Sequence, residues 1–155
     1  MGGVSTSNAD ARGQLLVMLG SAADRMAVAL GELGGAYEML DERSAERMEE
    51  AVFRPIQLAY GRLRRTHDEF AARTGLPARE FSPAPEGAPA RGVKPLIEAA
   101  AAEASAADGE LGALQDSMLP VEFGDVEVRE GIGEVRRLLG AVVPGTRELL
   151  RTFGR

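Results

Sequence analysis

The stretch LLVMLGSAADRMAVALGELGGAYEML, residues 15–40, decides the fold class. Within it Leu15, Leu19, Ala22, Met26, Ala29, Leu33, Ala36 and Leu40 recur at alternating steps of four and three. That spacing gathers side chains onto one stripe of an α-helix, whereas a strand would need a period of two. Ser7 or Asn8 can cap the start of this helix, which the pattern places at about 8–40.

The same spacing returns three more times. Ala45, Met48, Val52, Ile56, Ala59, Leu63, Thr66 and Phe70 carry it through a second helix at about 44–74. The phase slips by one position after Leu40, so a tight turn at Asp41–Ser44 separates the two. Gly75 and Pro77 end the second helix. Ile97, Ala100, Ala104, Ala107, Leu111, Leu114 and Met118 make a third, about 95–119, with Pro95 in its first turn and Pro120 after its end. Val128, Ile132, Val135, Leu139, Val142, Leu149 and Phe153 make a fourth, about 125–153, capped by Asp125.

Between the second and third helices, residues 75–94 hold Pro77, Pro83, Pro85 and Pro89 with Gly87 and Gly92. So many missing donors and fixed torsions leave no regular element, and the segment reads as a long solvated loop, with a proline-rich ligand for another protein as the sharper alternative. Pro55 and Pro144 fall inside helices, each crowding the carbonyl of a small residue four positions back, Ala51 and Gly140. Because the apolar phase is kept across Pro144, a kinked fourth helix is expected. Short outer connections and one longer middle loop then predict a single all-α domain over 1–155, an antiparallel up-down-up-down four-helix bundle.

Small residues suggest where rods approach closely. Gly13, Gly20, Ala27 and Gly34 lie at strict sevens on the first helix, and Gly133 and Gly140 hold an equivalent flank of the fourth. A close contact between those two helices, or a subunit interface built on the same surface, would offset the roughly 0.5–1 kcal/mol that each helical glycine costs. The last turns offer a second contact surface, where Leu149, Leu150 and Phe153 share one face and Arg147, Arg151 and Arg155 another. Such a basic amphipathic segment can meet an acidic groove or an anionic membrane surface, although completing the core is the simpler use of those leucines.

One strip carries chemical variety. Phe53, Tyr60 and His67 are spaced by sevens on the second helix, with Gln57 and Arg64 between them. Packing against the third helix would bring Tyr60 near Asp108 and form a polar-aromatic cleft able to hold an anion or move a proton. The alternative is a packed seam whose groups satisfy one another.

Other chemistries are argued against. There is no cysteine, and a single histidine cannot supply the paired Glu-x-x-His motifs of a di-iron bundle, so neither metal nor cofactor is expected. A net charge of −6 disfavours a dedicated nucleic-acid binder. The longest uncharged run, Gly13–Ala23, falls short of the roughly 20 residues that span a bilayer. The opening Met-Gly-Gly-Val-Ser-Thr lacks the marks of a secretory signal, which favours a cytoplasmic address, and the preference for arginine over lysine suggests a bacterial source. The sequence therefore favours a non-enzymatic protein that works by protein contact, with itself or within an assembly. A small-molecule binder or enzyme using the second-helix strip is the first alternative, and a peripheral membrane adaptor the second.

Overall fold

A computed structural model describes the backbone of residues 2–153 and the side chains of 7–153; Arg155, one of the three arginines expected on the basic C-terminal face, lies outside the described residues. The chain is all-α, with no strand among the described residues. Helix α1 (Gly2–Tyr37) is followed by α2 (Glu42–Met48), which passes through a π-turn (Glu49–Phe53) into α3 (Arg54–Thr74). After a 3-10 turn at Pro89–Arg91 come α4 (Val93–Asp116), the short α5 (Leu119–Glu122), α6 (Val126–Gly140) and α7 (Val142–Phe153). No helix among the described residues is long and apolar enough to cross a membrane.

Each boundary has a local cause. Asp41 is extended and accepts a hydrogen bond from the Ser44 N–H, which starts α2. Pro55 has no N–H to give Ala51, and the backbone widens just upstream, where the Arg54 N–H donates to the Glu49 carbonyl five residues back. Gly75 ends α3 in the left-handed region (φ 71°), and Leu76 and Gly75 donate to the carbonyls of Ala71 and Ala72 in a Schellman closure. Asp125 caps α6 by accepting from the Val128 N–H. The fourth rod is divided at Ala141, three residues before Pro144, whose missing N–H falls in the free first turn of α7.

Specific pairs fix the direction of the rods. Glu32 lies by the Gly87–Leu96 contact, and Arg25 pairs with Glu103 and Glu110, so α4 runs against α1. His67 shares a recess with Gly13 and Leu16 while Phe53 shares a cleft with Gly34 and Tyr37, so α3 also runs against α1. Arg73 pairs with Asp125, Thr66 backs onto Gly131 and Ala51 onto Gly145, so α6 and α7 run against α2–α3. The order is up, down, down, up rather than the expected up-down-up-down. The third rod packs on α1 and α6, not on the second, and the first rod does not pack on α6.

The physical reason is the middle segment. Residues 76–92 do not turn back at the foot of α3 but climb the length of α1. Arg79 hydrogen-bonds Asp24 through both terminal nitrogens, the Gly87 N–H donates to the Gly31 carbonyl at 2.9 Å, and Arg91 reaches Glu32. An extended segment of this length spans a helix that rises only about 1.5 Å per residue, so α4 can begin at the same end as α2. The expected solvated loop is thus a packed strap.

The apolar stripes fill the space between the rods. Leu15, Leu19, Met26, Leu33, Ile56, Leu63, Phe70, Leu111, Leu114, Ile132 and Val135 are all buried. Ala100, Ala104 and Ala107 keep α4 thin on its inner face, which lets it approach the leucine-rich α1. Met118, expected at the end of the third stripe, is turned out to solvent by a left-handed backbone (φ 65°).

Candidate functional site

The second-helix strip exists, but the strap rather than the third helix lies over it. Its lower half is filled. Phe81 of the strap meets the His67 ring edge-on at 5.0 Å, and the guanidinium carbons of Arg79 and Arg64 stand 4.2 Å and 5.7 Å from its centroid. Arg64 also lies 5.3 Å from the Tyr60 ring. His67 is buried, and its Nδ1–H donates to Asp68 Oδ1 at 3.0 Å, the only sense in which a carboxylate can take part. Hydrogen bonds to Asp24 hold Arg79 in place and raise its pKa further above the usual arginine range.

Stacked cations and aromatics of this kind contribute about 0.5–1 kcal/mol each where partly exposed. The arrangement fastens the strap, leaving only a small apolar recess beside His67, walled by Leu16, Leu76 and Pro77. The expected partner of Tyr60 is elsewhere. Asp108 accepts from Arg136 Nε at 2.8 Å on the α4–α6 side, and Arg136 also donates to Gln115. Gln57 is exposed. The cleft between second and third helices is therefore not formed, because those rods are not neighbours.

The upper half of the strip is open. Phe53 lines a cleft of about 300 Å³ with Gly34, Tyr37, Glu38, Glu49 and Glu86. Helix α1 supplies Gly34 and Tyr37 at its end, the π-turn supplies Glu49 and Phe53, and the strap supplies Glu86. Of these the sequence places Phe53 in a candidate cleft and Gly34 on a candidate contact surface. Tyr37, one position past the buried Ala36, is half exposed, and an aromatic residue there is a signal available in the sequence. Phe81, the one aromatic residue in the proline-rich segment, was a similar signal for a packed strap.

The small-residue stripes divide in the same way. Gly20 faces Arg79, Gly34 faces Glu86, and Ala27 between them is buried, so this flank of α1 receives the strap instead of the fourth helix. The lone Gly31-x-x-x-Gly35 pair sets the tightest approach, against the carbonyls of Pro85 and Gly87. Gly13 has open space beside it, as do Gly133 and Gly140, which lie exposed on the outside of α6. Close contact of the fourth rod is made instead by Gly131 on Thr66 and Gly145 on Ala51. Arg147 and Arg151 are exposed, with Arg151 paired to Glu148, while Leu150 is half-buried against the core. No group of acidic or histidine side chains close enough to hold a metal ion is found among the described residues.

A different surface concentrates exposed apolar area. In the turn between α4 and α6, Met118, Val121 and Val126 are 48%, 52% and 50% exposed, and no other nine described residues expose more than two large apolar side chains. The same turn region carries Asp116, Glu122 and Glu127, beside Asp125, which pairs with Arg73, and Arg129. Comparison with known proteins finds no family model, curated protein or solved structure that matches the chain.

Proposed function

We propose that the chain is a four-helix-bundle protein, its fourth helix kinked at Pro144, that acts without catalysis by docking on other proteins. The observation that carries this reading is the Met118, Val121 and Val126 patch. A left-handed backbone at a non-glycine residue costs about 1–2 kcal/mol, and here it is spent on holding an apolar side chain in water. Exposed apolar side chains gathered within one short turn are material for an interaction site.

The acidic rim selects the partner. Two copies meeting through this pole would set carboxylate against carboxylate, so the reading favours a different protein with an apolar centre and a basic edge. The substitution pair Met118→Asn and Val121→Asn tests it, because both side chains are exposed, their loss leaves the core intact and the charge of the surface is unchanged. Used as baits, the wild-type chain should retain basic proteins in a salt-sensitive way and the double variant should not, at equal melting temperature. Equal retention by both removes the reading.

A further inference from the structure

We propose that the open cleft at the other end of the bundle is a binding site for a small organic cation of the alkylammonium class. The site is built from three elements that meet there, and its composition is unusual for this chain. Its walls are the aromatic side chains of Tyr37 and Phe53, its rim is Glu38, Glu49 and Glu86, and no arginine lines it although the chain contains seventeen.

Elsewhere the carboxylates that line large cavities have a cation to hand. Glu130 and Glu134 share their groove with Arg62, Arg65 and Arg137, Glu148 pairs with Arg151, and Glu110 pairs with Arg25. Among the described residues Glu38, Glu49 and Glu86 make no ion pair. Three negative charges around an aromatic-walled hollow attract a cation that can shed water against a ring face.

The spacing selects the size of that cation. The three carboxylates do not converge tightly enough to hold a metal ion. They do surround about 300 Å³, at the small end of ligand pockets, which suits an ammonium group with a short alkyl body. An apolar face and spread negative charge fit such a ligand better than a compact, strongly hydrated inorganic ion.

Local backbone supports the placement. Glu49 and Phe53 are the first and last residues of the π-turn, and, four positions apart, they share one face of the rod, which sets the carboxylate beside the ring. Gly34 leaves room for Glu86, whose Cγ stands 3.6 Å from where a Cβ would be. An alanine at position 34 would meet Glu86 at ordinary van der Waals distance, and only a longer side chain would press on that rim carboxylate.

Titration of the full chain with choline, followed by amide chemical shifts and calorimetry, tests the assignment. Saturable shifts confined to Tyr37, Glu38, Glu49, Phe53 and Glu86 are expected. The uncharged isostere 3,3-dimethylbutan-1-ol should bind at least about tenfold more weakly, and Tyr37→Ala should weaken choline by roughly two- to thirtyfold. Tyr37 is exposed, so this variant should melt as the wild type does. Glu49→Gln and Glu86→Gln should each weaken binding and flatten its salt dependence. Equal binding of the isostere, unchanged affinity in both glutamine variants, or no saturable shift at these residues overturns the proposal. A peptide carrying one trimethyllysine serves as a further arm. Tighter binding of the peptide than of choline would identify a protein side chain as the source of the same cation. The Met118 and Val121 variants should bind choline normally, which separates this site from the opposite pole.

Discussion

Single glycines report which contacts in this chain are real constraints. Alanine at Gly31 gains about 1 kcal/mol of helix propensity, but its Cβ would run into the Pro85 carbonyl, a backbone atom that cannot rotate away. Gly31→Ala is expected to lose about 1–3 kcal/mol net, read as a lower urea midpoint, whereas Gly61→Ala, with nothing within 4 Å, should gain about 0.5–1 kcal/mol. Two stabilised variants would mean that the strap is not seated on α1. Asp125 gives the matching electrostatic case. Burial pushes its carboxyl up, but hydrogen bonds from Arg73 and the Val128 N–H, with the charges of Arg73 and Arg129, outweigh this and leave its pKa below the usual aspartate value. A group depressed in the folded state contributes stability that is present above its unfolded pKa of about 3.9 and is lost as pH falls through the folded value. Asn caps a helix about as well as Asp, so Asp125→Asn should be less stable than wild type at neutral pH, with the gap closing under acid. Urea unfolding across that range checks it, and a gap independent of pH would assign the loss to something other than the Arg73 pair. Such residues were legible in part. The cap at Asp125 follows from its position before an apolar run, but its arginine lies 52 positions away and no local pattern announces it.

At the level of elements, what the sequence expressed through periodicity was recovered, and what depended on irregular backbone was not. Ala45 through Phe70 keep one buried face across the π-turn, so the stripe predicted a single rod even though Pro55 changes its local winding. The strap had no period to read. Its order comes from a few anchors, Arg79 on Asp24, Phe81 among Arg64, Arg79 and His67, and the Gly87 N–H on Gly31, and proline density alone cannot distinguish such a segment from a solvated one. Phe81→Ala removes the central anchor without touching any helix. A loss of about 1–3 kcal/mol is expected, together with faster tryptic cleavage after Arg79 and Arg91 at a temperature where the helices still protect their amides. Unchanged cleavage would show that the ion pairs alone hold the segment. The same anchors explain why the side chains spaced by sevens along this rod meet the strap and do not form a cleft with α4. Side-chain spacing fixes which residues share a face, but it does not name the element that covers that face.

For the molecule as a whole, one connection sets the order of all four rods. Had residues 75–94 looped back at the foot of α3, α4 would have risen beside it and Tyr60 would have met Asp108. Because the segment climbs α1 instead, α3 and α4 descend together on one diagonal, and α1 and α6–α7 run the other way on the other diagonal. Surface ion pairs follow that order, with Arg25 joining α1 to α4 and Arg136 joining α6 to α4. Each is worth at most about 1 kcal/mol, so they register the arrangement rather than drive it; the driving term is burial of the four stripes. The absence of cysteine makes the order directly measurable, since any introduced pair is the only thiol pair present. Ser21 Oγ lies 3.3 Å from a Glu110 carboxylate oxygen, so a Ser21→Cys and Glu110→Cys variant should close with a short bifunctional thiol reagent within the monomer. Gln57→Cys with Asp108→Cys should not, because Gln57 lies on the strap-covered rod and Asp108 faces α6. Mass spectrometry of the two products decides between the orders: the reverse pattern requires α3 and α4 to be neighbours, and with that the strap, the divided strip and the open cleft above it would all have to be redrawn.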